Sequence, residues 1–141
     1  MTNDQQQLAA LIQRLFAALD DARFTDLTGL LADTATVRTP GGETAGRDAV
    51  IAQASRNHRP EWRIQHLVHN PLIEIDGDRA RIRADLVAVF VTAGAADRLA
   101  PQPTFELGER YRFEAVRRPE GWRLTRIEST PVWSRGERPA A

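Results

Sequence analysis

The run from Arg79 to Thr92 constrains the fold more than any other stretch. Its first half alternates Arg79, Arg81 and Arg83 with Ala80, Ile82 and Ala84, the period of a strand with one wet face. Its second half is apolar on both faces, with Leu86, Ala88 and Phe90 on one and Val87, Val89 and Val91 on the other. Such a strand needs cover on both sides. Helices can cover one face and a second copy of the chain the other. The expectation is a homodimer joined through the outer face of a sheet.

The helices lie upstream. Leu8, Leu11, Ile12, Leu15, Phe16 and Leu19 form one apolar stripe and predict a helix over residues 5–21, with Thr2 and Gln5 spaced for a capping box. Asp20 and Asp21 stand at its C-terminal end, where the helix dipole disfavours acids. They are either two solvated acids or acids held there by a local partner or a function. A second short helix is expected from Asp26 to Ala32, burying Leu27, Leu30 and Leu31, and Thr34 to Thr39 reads as a short strand. Pro40-Gly41-Gly42 is a turn, and a third helix runs from Gly46 to about Arg56. His58 falls in the segment that ends it and reads as an exposed loop residue.

Downstream of Trp62 the chain is mostly strands. Arg63 to Asn70 alternates, with His66, Val68 and Asn70 on one face and Leu67 and His69 on the other. Pro71 bends it into Leu72–Asp76, and Asp76-Gly77-Asp78 is a hairpin turn before Arg79. Ala93 to Pro103 reads as a loop, and Phe105 to Arg117 as a strand with Phe105, Leu107, Glu109, Tyr111, Phe113 and Ala115 on one face. The last strand, Trp122 to Trp133, changes parity between Leu124 and Ile127, which predicts a bulge near Thr125-Arg126. Residues 1–133 form one domain and 134–141 a polar tail. Helices first and antiparallel strands after them define an α+β fold, with a curved sheet wrapped round the first helix to leave a conical pocket.

Composition narrows the functional classes. Basic and acidic residues balance at 19 each, so no positive field gathers nucleic acid or anionic lipid. There is no cysteine, hence no disulfide and no thiolate metal site. His66 and His69 point to opposite faces of a strand, so they share no metal. No apolar run is long enough to span a membrane, and Met1 to Gln7 has no signal-peptide pattern, so a cytoplasmic protein is expected. No Gly-rich phosphate loop or nucleotide fingerprint calls for a cofactor.

Four stretches carry a resemblance. They are Leu15–Leu27, Leu30–Val37, Gly46–Val50 and Gly121–Leu124, with Gln65–Asn70 between the last two. Together they resemble the SnoaL-like group of the nuclear transport factor 2-like (NTF2-like) superfamily, over nearly the whole chain. The resemblance implies a cone-shaped fold, three N-terminal helices packed on a strongly curved antiparallel sheet enclosing a pocket. It does not choose among isomerases, cyclases, dehydratases, epoxide hydrolases and non-catalytic binding proteins. Within the superfamily, Ile64-Gln65-His66-Leu67 and Leu19-Asp20 resemble the segments holding the catalytic histidine and acid of scytalone dehydratase. That implies an Asp20–His66 dyad in the pocket. Two departures accompany it: Leu86–Phe90 offers no counterpart to the dehydratase's second histidine, and Leu19 stands in place of a tyrosine.

The physical case for the dyad is that a carboxylate fixes an imidazole's tautomer while the free nitrogen exchanges a proton with substrate. Glu109 and Tyr111 would supply a second acid and a donor, although Glu109 would equally pair with an arginine on a neighbouring strand. Asn70 would orient a substrate carbonyl or simply end a strand. Trp62, Phe90 and Phe113 are pocket wall or core. Two functions follow. One is a cofactor-independent proton-transfer enzyme acting on a small, largely apolar oxygenated ring compound. The other is a non-catalytic module that binds a small hydrophobic ligand or assembles as a dimer.

Overall fold

A computed structural model of the chain describes residues 2–92 and 101–140. Most of the segment expected as a loop at Ala93–Pro103 therefore lies outside the described residues. Helix α1 spans Asn3–Asp20. Its capping box is formed: the Gln5 N–H donates to Thr2 Oγ1 at 3.1 Å and the Thr2 N–H to Gln5 Oε1 at 3.0 Å. All six residues of the expected stripe are buried. The helix closes with two reversed bonds, Arg23 N–H to the Ala18 carbonyl at 2.8 Å and Ala22 N–H to the Leu19 carbonyl at 3.3 Å, around Ala22 at φ +55°.

The expected second helix is shorter and tighter than its leucine spacing suggests. A 3₁₀ turn covers Phe24–Gly29 and buries Leu27 alone, while Leu31 already belongs to strand β1, Leu31–Thr39. Gly29 is a poor helix residue, and the β-branched stretch after it pairs in parallel with the last strand, Leu31 opposite Leu124. A short strand β2, Gly42–Ala45, pairs back onto β1. Its sequence carries no apolar alternation, so the turn at Pro40 reads without its second arm. Helix α2 spans Arg47–Asn57. Two α-helices and a 3₁₀ turn thus stand where three helices were expected.

Four long strands follow: β3 Arg63–Asp76, β4 Arg79–Val91, β5 Phe105–Arg118 and β6 Gly121–Gly136. The six strands form one sheet in the order β2-β1-β6-β5-β4-β3, antiparallel except where β1 meets β6. The sheet is curved and does not close. The Pro71 region hosts a bulge between His69 and Leu72, with Asn70 at φ +51°, inside one continuous strand. The bulge expected near Thr125 is present: Ala115 pairs with Leu124 but Glu114 with Arg126. It turns Trp122 and Leu124, then Ile127 and Ser129, to the same buried face. A second bulge leaves Val132 extra between Gly108↔Trp133 and Glu109↔Pro131. The ladder runs on to Gly136 opposite Phe105, so the first residues assigned to the tail are strand.

The core sits between α1 and the concave face. Leu8, Leu15 and Phe16 pack with Ile82, Leu86, Phe113, Trp122 and Leu124. A smaller cluster of Ala88, Phe90, Phe105 and Leu107, joined by Trp62 and Ile64, lines the end of the sheet beyond the helix. That division leaves room between α1, α2 and the sheet.

Candidate active site

The pocket begins with the alternation of β3. Ile64, His66 and Val68 point inward, and His66 meets the end of α1. Its Nδ1 lies 2.5 Å from Asp20 Oδ1, and its backbone N–H donates to Asp20 Oδ2 at 3.1 Å. One carboxylate therefore holds both the ring and the strand of the histidine. The His66 side chain is 2% exposed and that of Asp20 21%. A carboxylate only accepts, so Nδ1 carries the proton and Nε2 the lone pair of the neutral ring. Phe16 packs on the imidazole, ring centroids 4.9 Å apart. The unfavourable acid at the helix C-terminus is thus held by a partner, whereas Asp21 turns outward to Arg23 at 3.4 Å.

His66 forms part of the wall of an open cavity of about 580 Å³. Leu15, Phe16 and Leu19 contribute from α1, Val50 and Ala54 from α2, and Phe90, Leu107 and Ile127 from the sheet. A space of this size and lining suits a small, largely apolar molecule. Asp20 does not line it; the carboxylate stands behind His66.

A second polar group lies on the concave face two strands away, since β4 separates His66 from β5. Glu109 and Ser129 are the buried polar residues of the fold among those described, and Tyr111 follows on the same face. Burial pushes the Glu109 carboxyl above the ordinary carboxylate range, against the opposing pull of the His66 and Arg138 charges and the Ser129 hydroxyl. Burial likewise raises Tyr111, helped by the charge of Glu109. Both shifts run towards the protonated, donating form. Among the described residues no neighbouring-strand arginine pairs with Glu109; the arginine that acts on it, Arg138, comes from the C-terminal segment, where its guanidinium lies 5.1 Å from the Phe105 ring centre.

The expected site residues divide cleanly. His66, Glu109, Tyr111, Trp62 and Phe90 all line the cavity. Asn70 does not: the bulge turns it out to solvent in the left-handed conformation that asparagine tolerates. Phe113 is core rather than wall, 1% exposed and packed between Phe16 and Tyr111.

One residue of the site was missed. His58 caps the C-terminus of α2, and its Nδ1 lies 2.9 Å from the Ala54 carbonyl. It lines the cavity, with its ring centroid 5.5 Å from that of His66. Burial, with a positive charge on His66 as the second cause, lowers its pKa to about 4 against the opposing Ala54 bond and Asp20 charge. Its place in Asn57-His58-Arg59-Pro60 resembles any helix-ending loop, and only the helix's packing turns the ring inward. The i, i+4 relation to Ala54 was the one available signal. Among the described residues no cluster of side chains is arranged to hold a metal ion.

The class of protein is defined by these features together: helices laid on one face of a curved, open six-stranded sheet around an apolar pocket, the cystatin-like, NTF2-like architecture. The SnoaL-like domain matches residues 1–128, and the chain belongs to that family. Kfla4162 from Kribbella flavida is similar in structure, with a TM-score of 0.82 at 22% identity over 94% of this chain and 93% of that one. A candidate scytalone dehydratase from Novosphingobium aromaticivorans gives 0.81 at 18% identity, covering 97% and 89%. A type 2 hexachlorocyclohexane dehydrochlorinase, LinA, gives 0.78 at 16%, covering 93% and 86%. At these identities the likeness is one of fold. No curated protein matches the sequence. No helix among the described residues is long and apolar enough to cross a membrane.

Proposed function

We propose that the chain is a cofactor-independent proton-transfer enzyme of the isomerase, cyclase or dehydratase type, acting on a small, largely apolar oxygenated ring compound. The observation that carries this is the 2.5 Å contact of Asp20 with His66, whose ring stands on the cavity wall. Asp20 fixes the tautomer and orientation, and His66 Nε2 takes a proton from substrate carbon or oxygen. The carboxylate then stabilises the imidazolium in an apolar setting. Glu109, whose carboxyl is shifted upward from the ordinary range by burial, returns a proton to oxygen when it carries one. Two structural neighbours bear the names of elimination enzymes, a reaction that likewise requires a proton to be removed.

The test is deuterium exchange of the α-protons of ring ketones such as 1-tetralone, followed by proton NMR. The wild-type protein is expected to accelerate exchange over buffer. His66→Ala and Asp20→Asn should each lose about 10²- to 10⁴-fold of that acceleration. Full rates in both variants would overturn the proposal. Binding of the ketones without exchange above buffer would favour the non-catalytic ligand-binding module instead.

For assembly, we propose a homodimer through the outer sheet face. Leu67, Val87, Gly108 and Trp133 lie in register across four strands, with Leu67 39% and Trp133 44% exposed. A Cβ at Gly108 would collide with the Trp133 indole, so the glycine lets that ring lie flat on the sheet. Sedimentation at micromolar concentration should give twice the chain mass of 15.8 kDa, and Val87→Arg should halve it. A wild-type protein that sediments as a monomer contradicts the dimer.

A further inference from the structure

His58 and His66 are held in the same way. The Ala54 carbonyl can only accept, so His58 Nδ1 carries a proton, as His66 Nδ1 does towards Asp20. Each neutral ring therefore keeps its lone pair on Nε2, the edge away from its tether. The centroids are 5.5 Å apart, and both rings line the cavity. Phe90 packs against His58 with ring centroids 6.4 Å apart, and its ring carries no hydrogen-bond donor of its own. Among the described residues no protein group donates to His58 Nε2. A lone pair at an apolar cavity wall without a donor is an unmet acceptor, and such a site discriminates by what the ligand brings.

We propose that His58 is a substrate-binding residue whose Nε2 accepts a hydrogen bond from a ligand hydroxyl, so that the pocket selects hydroxylated ring compounds over their methyl ethers. This rests on the proton-transfer reading of the same pocket and adds the substrate class to it. The hydroxyl bound by His58 sets the ring beside His66, which acts on a neighbouring carbon or oxygen. The two imidazoles hold different roles because their tethers differ. Asp20 supplies a negative charge that supports an imidazolium on His66, whereas the Ala54 carbonyl supplies none to His58. A proton gained by His66 further disfavours one on His58, so the acceptor persists through turnover.

The experiment compares 2-naphthol with 2-methoxynaphthalene, which share a ring system and differ in the donor. In ¹⁵N-labelled wild-type protein, long-range histidine spectra should show His58 protonated on Nδ1 and bare on Nε2 at pH 7. Addition of 2-naphthol should move the Nε2 signal, and the ether should not. Calorimetry should give 2-naphthol about fivefold to tenfold tighter binding than the ether. His58→Phe, which keeps a ring there, should bind the two alike. A proton on Nε2, equal binding by the wild type, no binding of 2-naphthol at millimolar concentration, or a preference retained in His58→Phe would each overturn the assignment. The labelled wild-type spectra decide it even if the variant fails to fold. A donor preference that depends on His58, found with ketone exchange that ignores His66, would sink the proton-transfer reading while leaving His58 as the hydroxyl acceptor.

Discussion

Asp20 grips His66 at two points, the ring Nδ1 at 2.5 Å and the backbone N–H at 3.1 Å, across a separation of 46 residues. The contact joins α1 to β3 as well as orienting the imidazole. Asp20→Ala should therefore destabilise the fold by about 2–3 kcal/mol, the scale of charge-assisted bonds lost from a mostly buried pair. Asp20→Asn keeps one acceptor and turns an NH₂ towards a donor, so a loss of about 1–2 kcal/mol is expected. Urea unfolding of the two variants checks this, and losses below 0.5 kcal/mol (roughly the noise of such measurements) would show that the contact is not structural.

The His58 ring makes stability depend on pH. Its folded pKa, about 4, lies below the ordinary histidine value, so the unfolded chain binds more protons between roughly pH 4 and 6.5. The groups that face it are His66, whose charge deepens the shift, and Asp20, whose charge opposes it. The contribution is present in full above about 6.5 and is lost as pH falls towards 4. Its size is on the order of 2–3 kcal/mol after allowance for partial exposure. Denaturant midpoints at pH 4.5 and 7.5 should differ by less in His58→Gln than in the wild type.

A second acid-sensitive contact lies at the opposite end of α1. Arg117 holds Asp4 with two bonds, at 2.7 and 2.8 Å, and the Trp122 indole N–H adds a third at 3.2 Å. The Arg117 guanidinium, then Trp122, hold the Asp4 carboxyl at about 2. A depressed carboxylate stabilises the fold above its unfolded value and loses that effect as pH falls towards the folded one. Between pH 4 and 2 the melting temperature of Asp4→Asn should therefore fall less steeply than that of the wild type. Parallel curves would show that the pairing is too exposed to matter.

Ala22 ends α1 in the left-handed conformation, where a side chain is strained and glycine is not. Ala22→Gly should stabilise the protein by roughly 0.5–1 kcal/mol, the relief being partly offset by the freer unfolded chain. Thermal unfolding is the check, and a lower melting temperature would mean that the Ala22 methyl packs usefully.

How much of this was legible follows from which forces are local. The α1 stripe, its capping box, the alternation of β3 to β5 and the bulge at Thr125 were all readable, because each is a period or a cap set within a few residues. The resemblance to a family led to the expectation that Asp20 and His66 share one place; the two side chains are in contact, and only His66 lines the cavity. Local propensity misled at Leu30 and Leu31, whose helical spacing yields to parallel pairing with β6. It was silent at Gly42–Ala45, an edge strand defined only by its partner. Asn70 shared the parity of His66 on paper, but one extra residue in a bulge reverses which way a side chain points. Phe113 and Tyr111 share a strand face and both meet Phe16 of α1, yet only Tyr111 reaches the cavity wall.

By itself, then, the sequence determined a helical layer, a long antiparallel sheet, a pocket-facing histidine on β3 and an acid at the end of α1. Each was written in spacing or carried by resemblance. The tertiary structure alone decided that Asp20 stands behind His66 rather than in the cavity, that Glu109 is buried without an arginine from a neighbouring strand, and that His58 turns inward to complete a pair of imidazoles. These outcomes depend on the angle at which helices cross a curved sheet and on the water they exclude. Both are sums over contacts between segments far apart in the chain, which no window of sequence contains.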